Sequence, residues 1–505
     1  MLERWVSPGR LAVVATGALG LAVVLGPVGV PFGWLQPVVG ALVLVSWWRR
    51  PFDLALALDP RVWRWFLAAA LVWLELVGLT RFEAFEVDGV ALGALEQALD
   101  GTHHGRFGAT SMLGGSYFAS APALILLPLV FLHELWPGPL WLVVTGPLVV
   151  WLGLFPVRRL VRLSNGGPHG AMELAASLAW LGNGLTGRAL AEGFSLELVL
   201  TVLFLWLVVA WVERDVERVA ALAAAMLITK DEAAVVLVGF VVAATLVERW
   251  RWGQALFVAG LAIGWSLFTG LVLRPRLLGP AQVGPWTPWD AQTIWHAFGR
   301  LWREPVVALG RVVTSGWWRV LGPMLLVPLR SARAVGALLP LLVLLALGAQ
   351  PEGRAWQTPM AAGLVGVLLF GVFDVWAVWR SAPGSRAREG LVLAAFVGFG
   401  ALPPHVLRVH AIDVERRQQL EGALKSVERA PLVCVQPVLV PHLGTSRRLV
   451  PLVKPDCIDR PGAVALVHLS LSPAPWTQEA LEALLAGRRA ERLAGGFVVV
   501  NGSAQ

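Results

Sequence analysis

Charge is scarce in this chain: 15% of its 505 residues are Asp, Glu, Lys or Arg, against 57% that are hydrophobic. That shortage of solvated side chains excludes one large water-soluble core and leaves the bilayer as the solvent. Alternating barrel strands are also lacking. In hydrocarbon the backbone must then bond to itself as helix. No long basic stripe with interleaved stacking aromatics is present, so the net charge of +8 reads as membrane topology and nucleic-acid binding is excluded. Cysteine is limited to Cys434 and Cys457.

What the chain does have is a succession of apolar runs closed by aromatic and cationic residues, as in Trp47-Trp48-Arg49-Arg50 and Trp250-Arg251-Trp252. Both side-chain types suit the headgroup region. The run 11–30, behind Arg4 and Arg10, is longer than a signal-peptide core and precedes a second apolar run at 34–48, so it reads as an uncleaved first span. The arginine pattern places Arg49-Arg50, Arg158-Arg159, Arg214 with Arg218, Arg249 with Arg251, Arg330 with Arg333, and the loop 380–388 on the cytoplasmic face. The outer face then receives 81–117, the turn 194–197, Lys230-Asp231-Glu232, the loop 274–318 and the tail after 402. Two apolar runs, 118–135 and 139–156, separate an outer loop from an inner one; Pro122 and Pro128 mark the first as re-entrant.

The expected architecture is an all-α polytopic membrane protein with about 13 transmembrane helices, followed by a small C-terminal α/β extracytoplasmic domain. The membrane domain covers 1–402, with long outer loops at 81–117 and 274–318; the soluble domain covers 403–505, after Pro403-Pro404. Within it the pattern predicts a helix at 411–429, strands at 432–440 and 463–471, a helix at 478–493 and a strand at 496–500. In an oxidising compartment Cys434 and Cys457 pair; otherwise they are two buried thiols.

Ionisable residues near membrane depth are functional candidates. Three groups qualify: Glu83, Glu86, Asp88, Glu96, Asp100, His103 and His104 in the first outer loop; Glu197 at the mouth of the span 198–212; and Lys230-Asp231-Glu232, which interrupts apolar sequence from 219 to 247. All three map to one face. For Glu83, Glu86, Glu96 and Asp100 the plainer reading is a solvated loop. A Lys-Asp-Glu turn also serves as a helix cap. Adjacent His103 and His104 point apart on a strand, which argues against a shared metal, and Glu75 reads as a helix-helix hydrogen-bond partner.

The residues Phe85-Glu86-Val87-Asp88-Gly89, Glu96-Gln97, His104-Gly105-Arg106-Phe107 and Gly115-Ser116-Tyr117-Phe118-Ala119-Ser120-Ala121-Pro122 resemble the bacterial membrane family known as domain of unknown function 2079. Phe194-Ser195-Leu196-Glu197, Lys230-Asp231-Glu232, Leu339-Pro340 and Pro441-His442-Leu443 continue the likeness in the same order. The chain departs from that pattern at Ala119, at Ser195 and around Trp356-Gln357-Thr358, where the family carries histidines. The family in turn resembles the GT-C glycosyltransferases, which take a sugar from a polyprenyl-phosphate carrier at the outer membrane face.

That resemblance implies a GT-C-like fold and a bacterial inner-membrane location. It gives Asp88 the role of general base, or of a carboxylate that orients the acceptor or a divalent metal. Glu197, Lys230, Asp231, Glu232 and His104 become substrate-binding residues, with Lys230 stabilising the departing phosphate. The expected partners are membrane lipid and a polyprenyl-phosphate-sugar donor. Two other functions use the same charges: a transporter or flippase, for which no inverted repeat is visible, and a non-catalytic envelope scaffold.

Overall fold

The computed structural model describes residues 60–87, 89–111, 115–120, 122–248, 251–278, 303, 306, 324, 326–347, 363–380, 385–400, 414–427, 430–443, 449–452, 457–458, 460–469, 471 and 490–501. These residues are mostly helical, with a small sheet near the C-terminus. Four helical stretches are long and apolar enough to cross a membrane: Pro60–Glu83, Leu140–Asn165, Leu196–Glu213 and Trp252–Leu277. That is the count among the described residues, against about 13 expected for the whole chain. The spans expected at 11–30 and 34–48, and most of the loop 274–318, lie outside the described residues. The chain divides into two compact units.

The first unit comprises Met1–Leu74, Pro147–Leu190 and Ser195–Arg408. Helix α1 (Pro60–Glu83) begins in it, and the end of α2 (Leu140–Asn165) packs beside α3 (Gly170–Gly182), where the Trp180 indole N–H donates to the Val150 carbonyl at 2.7 Å. Three apolar helices follow: α4 (Leu196–Glu213), α5 (Val216–Thr229) and α6 (Ala233–Val247). They adjoin α7 (Trp252–Phe268), α8 (Ala332–Leu347), α9 (Gly363–Trp379) and α10 (Ser385–Gly400). Edge-to-face rings of Phe204, Trp211, Phe240 and Phe370 fill the middle of this bundle. At one end the arginine-rich connections meet. Arg159 and Arg218 share Glu213, Arg158 and Arg162 grip the buried Glu173, and Arg333 forks between Glu248 and Asp374. Since α4 runs toward that cluster and α5 runs away from it, the start of α4 and the end of α5 lie together at the opposite end.

The second unit comprises Glu75–Gly146, Ala191–Phe194 and Val409–Gln505. It holds α11 (Gly89–His103), a two-residue hairpin of β1 (Ala109–Thr110) with β2 (Gly115–Ser116), α12 (Leu129–Leu135), and α13 (Val414–Val427). Its sheet has the order β4-β3-β5-β7-β6, built from β3 (Leu432–Val435), β4 (Leu449–Pro451), β5 (Ala463–His468), β6 (Ala490–Arg492) and β7 (Phe497–Asn501). β3 pairs parallel with β4 and β5, while β7 runs antiparallel to β5 and β6. One face buries Val433, Val435, Leu466 and Phe497 together with Phe85 and with Ala94 of α11. On the other face Cys434 and Cys457 form a disulfide with a Cα separation of 6.0 Å.

Several elements end earlier than the alternation predicts. The strand expected over 432–440 stops at Val435, because Pro437 has no amide to give the ladder, and a 3₁₀ helix Pro437–Leu443 follows. The strand expected over 463–471 closes at His468, and β4 was not foreseen. Ala490–Arg492, expected at the end of a helix, is an edge strand; residues 472–489 lie outside the described residues. The run 118–135 forms only short helices, of which Leu129–Leu135 has 7 residues, about 10 Å, whereas Leu140–Asn165 has 26, about 39 Å. The second is the one long enough to span, although Pro147 and Pro156 lie inside it.

Candidate functional site

Glu197 stands in the first turn of α4, where the unpaired amides of a helix N-terminus favour a carboxylate. Ser195, in extended conformation just ahead of the helix, donates its hydroxyl to Glu197 Oε2 at 2.7 Å. The other oxygen, Oε1, accepts from Lys230 Nζ at 2.6 Å. Lys230 is brought there by the end of α5: its amide still bonds the Met226 carbonyl, but its own backbone is extended, so the chain leaves the helix and turns. Two residues later Glu232 opens α6, with Oε1 3.5 Å from Lys230 Nζ. Its Oε2 is buried and makes no hydrogen bond among the described residues.

Lys230 is only 6% exposed. Burial alone would push its ammonium down, but Glu197 and then Glu232 outweigh it and hold the group above its ordinary range. Burial acts on Glu232 in the other sense. It raises that carboxyl to about 7, with Lys230 opposing and Asp231 reinforcing. The arrangement is thus a cation fixed at the end of apolar helices, held firmly by one carboxylate and loosely by a second. Asp231 adds a further negative charge in the turn.

A second cluster lies in the other unit, on α11 and α12. Asp100 Oδ1 is 3.4 Å from His104 Nδ1 and 4.0 Å from His133 Nε2. The Trp141 indole donates to His133 Nδ1 at 3.2 Å, which leaves the His133 proton on Nε2, directed at Asp100. One turn before Asp100, Glu96 is fully buried, and neither of its oxygens has a partner among the described residues. Burial first and Asp100 second raise it to about 8. The solvated-loop reading therefore fails for Glu96, because α11 is enclosed on nearly every side. Glu83 too is engaged, accepting from Arg417 at 3.0 Å.

The sequence candidates thus divide. Glu197, Lys230 and Glu232 come together, with Asp231 in the same turn. His104 belongs to the second cluster, half-exposed, its Nδ1 also 2.9 Å from the Asp100 carbonyl. Asp88 lies outside the described residues. His103 and His104 meet edge to face at 5.0 Å, and among the described residues no group of three or more His, Cys, Asp or Glu is arranged to hold a metal ion. Glu75 Oε2, expected to bond another helix, has no partner there. Sequence reasoning missed the roles of Ser195 and His133. For Ser195 a signal exists in its place directly ahead of an apolar helix, an N-cap position, although its hydroxyl bonds Glu197 and caps no backbone amide.

The profile of a family described as "Predicted membrane protein (DUF2079)" matches residues 89–454. The chain belongs to this family. No curated protein matches it. Among solved structures it is similar to ArnT from Cupriavidus metallidurans bound to undecaprenyl phosphate, at 14% identity, over 88% of this chain and 99% of that one, with a TM-score of 0.45. The apo form of the same protein matches at 14% identity over 88% and 98%, with a TM-score of 0.48.

Proposed function

We propose that this family member is a GT-C-like glycosyltransferase of the bacterial inner membrane, moving a sugar from a polyprenyl-phosphate carrier to an acceptor at the outer face, where the 403–505 region also lies. The observation that carries the reading is the Lys230 ammonium, buried at the end of three apolar helices and held on Glu197 and Glu232. A lipid-borne phosphate needs a cation at that position, and Lys230-Asp231-Glu232 resembles the Lys-Glu-Asp that the family carries at this point of the chain.

In the reaction, the bond between the anomeric carbon and the phosphate oxygen breaks, and its electron pair leaves on the carrier phosphate beside Lys230. The acceptor oxygen bonds the same carbon, and its proton passes to Asp88. Glu197 and Asp231 position the cation, and His104 is assigned to binding of substrate. The test is release of undecaprenyl phosphate from a panel of undecaprenyl-phosphate-sugars by the reconstituted protein with an envelope extract as acceptor. Wild-type protein should release it, and Asp88→Asn should lower the rate by about 10²-fold or more with folded protein retained. Absence of release from every donor, or full activity of Asp88→Asn, would overturn the assignment.

A further inference from the structure

Among the described residues, the Lys230 turn carries more negative than positive side chains. Glu197, Asp231 and Glu232 act on the Lys230 ammonium, and Lys230, Asp231 and Glu197 act on Glu232. The two glutamates are unequally satisfied. Glu197 uses both oxygens, at 2.7 Å to Ser195 and 2.6 Å to Lys230. Glu232 reaches the ammonium only at 3.5 Å through Oε1, and its buried Oε2 has no partner among the described residues. An anionic phosphate approaching Lys230 meets these carboxylates at short range in a poorly solvated place, where like charges repel strongly. The least costly relief is a proton on the carboxyl that has least to lose.

Resting on the donor reading above, we propose that the carrier phosphate binds here together with one proton from water, taken up by Glu232, whose Oε2–H then donates to a phosphate oxygen. The unpartnered oxygen is in this view the empty half of a hydrogen bond that the ligand completes. Lys230 meanwhile shares its ammonium between Glu197 and the phosphate. Because burial already raises Glu232 to about 7, the proton is available near neutrality. The sign follows: a ligand that prefers protonated Glu232 binds more weakly as pH rises through that value.

The experiment uses the full chain in detergent micelles and farnesyl methyl phosphate as the probe. A diester keeps one charge throughout, whereas a phosphate monoester titrates near pH 6. Affinity should weaken by about 30-fold between pH 6 and pH 8.5, approaching tenfold per pH unit. Glu232→Gln should bind with no such slope, at pH 8.5 more tightly than wild type. Calorimetry at pH 8 in two buffers of different ionisation enthalpy should show close to one proton taken up per ligand by the wild type. That measurement stands even if the variant does not fold. An unchanged slope in Glu232→Gln, or no proton uptake by the wild type, overturns this inference and leaves the donor reading intact. No binding by the wild type at any pH sinks both.

Discussion

Burial moves two side chains of the second unit in opposite directions, and each leaves a mark on stability. Glu96 is raised from 4.5 to about 8, so between those values the folded chain keeps a proton that the unfolded chain has released. Stability must fall as pH rises through that window. His442, packed against the rings of Phe82 and Phe85 with centroids 4.3 Å away, is lowered from 6.5 to about 3 by burial and then by Arg417. There the unfolded chain takes the proton, and stability falls as pH drops from 6.5 toward 3. Thermal unfolding of Glu96→Gln should therefore match wild type near pH 5 and exceed it at pH 8, while His442→Phe should flatten the acid limb. A Glu96→Gln profile parallel to wild type at all pH values contradicts the assignment. In the first unit, Lys230→Met strands Glu197 without its ammonium and should cost about 3–5 kcal/mol; the Lys230→Met, Glu197→Gln double variant should recover part of it in the same melts. Lys230 was legible from sequence because a charged triplet inside an apolar run has few alternatives. His133 and His442 were not, since a histidine's neighbours across the fold leave no trace in local spacing.

At the scale of elements, what was legible is what periodicity and length encode. The long spans, the break at Lys230 and the short helices of the run 118–135 follow from apolar length and from Pro. Strand ends and the unforeseen β4 did not, because a three-residue strand is decided by its neighbours in the ladder and not by its own composition. Close approach between elements is equally invisible until the partner is known. Gly89 and Gly93 of α11 face the 3₁₀ helix Pro437–Leu443: a Cβ on Gly89 would lie 1.7 Å from the Pro437 carbonyl oxygen, and one on Gly93 would lie 2.3 Å from Val440 Cγ1. The first obstacle is backbone and the second a side chain able to rotate. Gly89→Ala should accordingly lose more stability than Gly93→Ala, which should cost about 1–3 kcal/mol, and Val440→Ala should rescue Gly93→Ala alone. Equal losses, or rescue of both, would mean that this contact does not set the packing. Phe85, at φ 58°, turns the chain between α1 and α11 in a conformation that costs a bulky residue about 1–2 kcal/mol. Its ring repays that by entering the core beneath the sheet.

For the whole molecule, charge asymmetry was the most informative signal. Among the described residues, the arginine-rich connections of the first unit are tied by ion pairs, Arg159 and Arg218 on Glu213 and Arg251 and Arg333 on Glu248. The compartment behind each face is a proposal, tested by reporter fusions after Gln505: activity of a periplasm-dependent reporter is expected, and activity of a cytoplasm-dependent one alone would reverse the assignment. Cysteine labelling checks the same point, since Cys434 and Cys457 should resist a maleimide reagent until reduced, and removing both should cost about 3 kcal/mol of unfolding free energy. The shared core of Phe85, Ala94, Val433 and Phe497 has a further consequence, in time. Ala94 emerges from the ribosome some 340 residues before Val433, roughly 17–70 s at about 5–20 residues per second. Throughout that interval α11 carries an apolar face whose covering is not yet made. The nascent chain should therefore depend on a holding chaperone or on the translocation machinery during a fixed stretch of synthesis. A stop codon placed before β3 should yield a chain that inserts its spans but is degraded from the loop 81–117 inward, as pulse-chase with limited proteolysis would show.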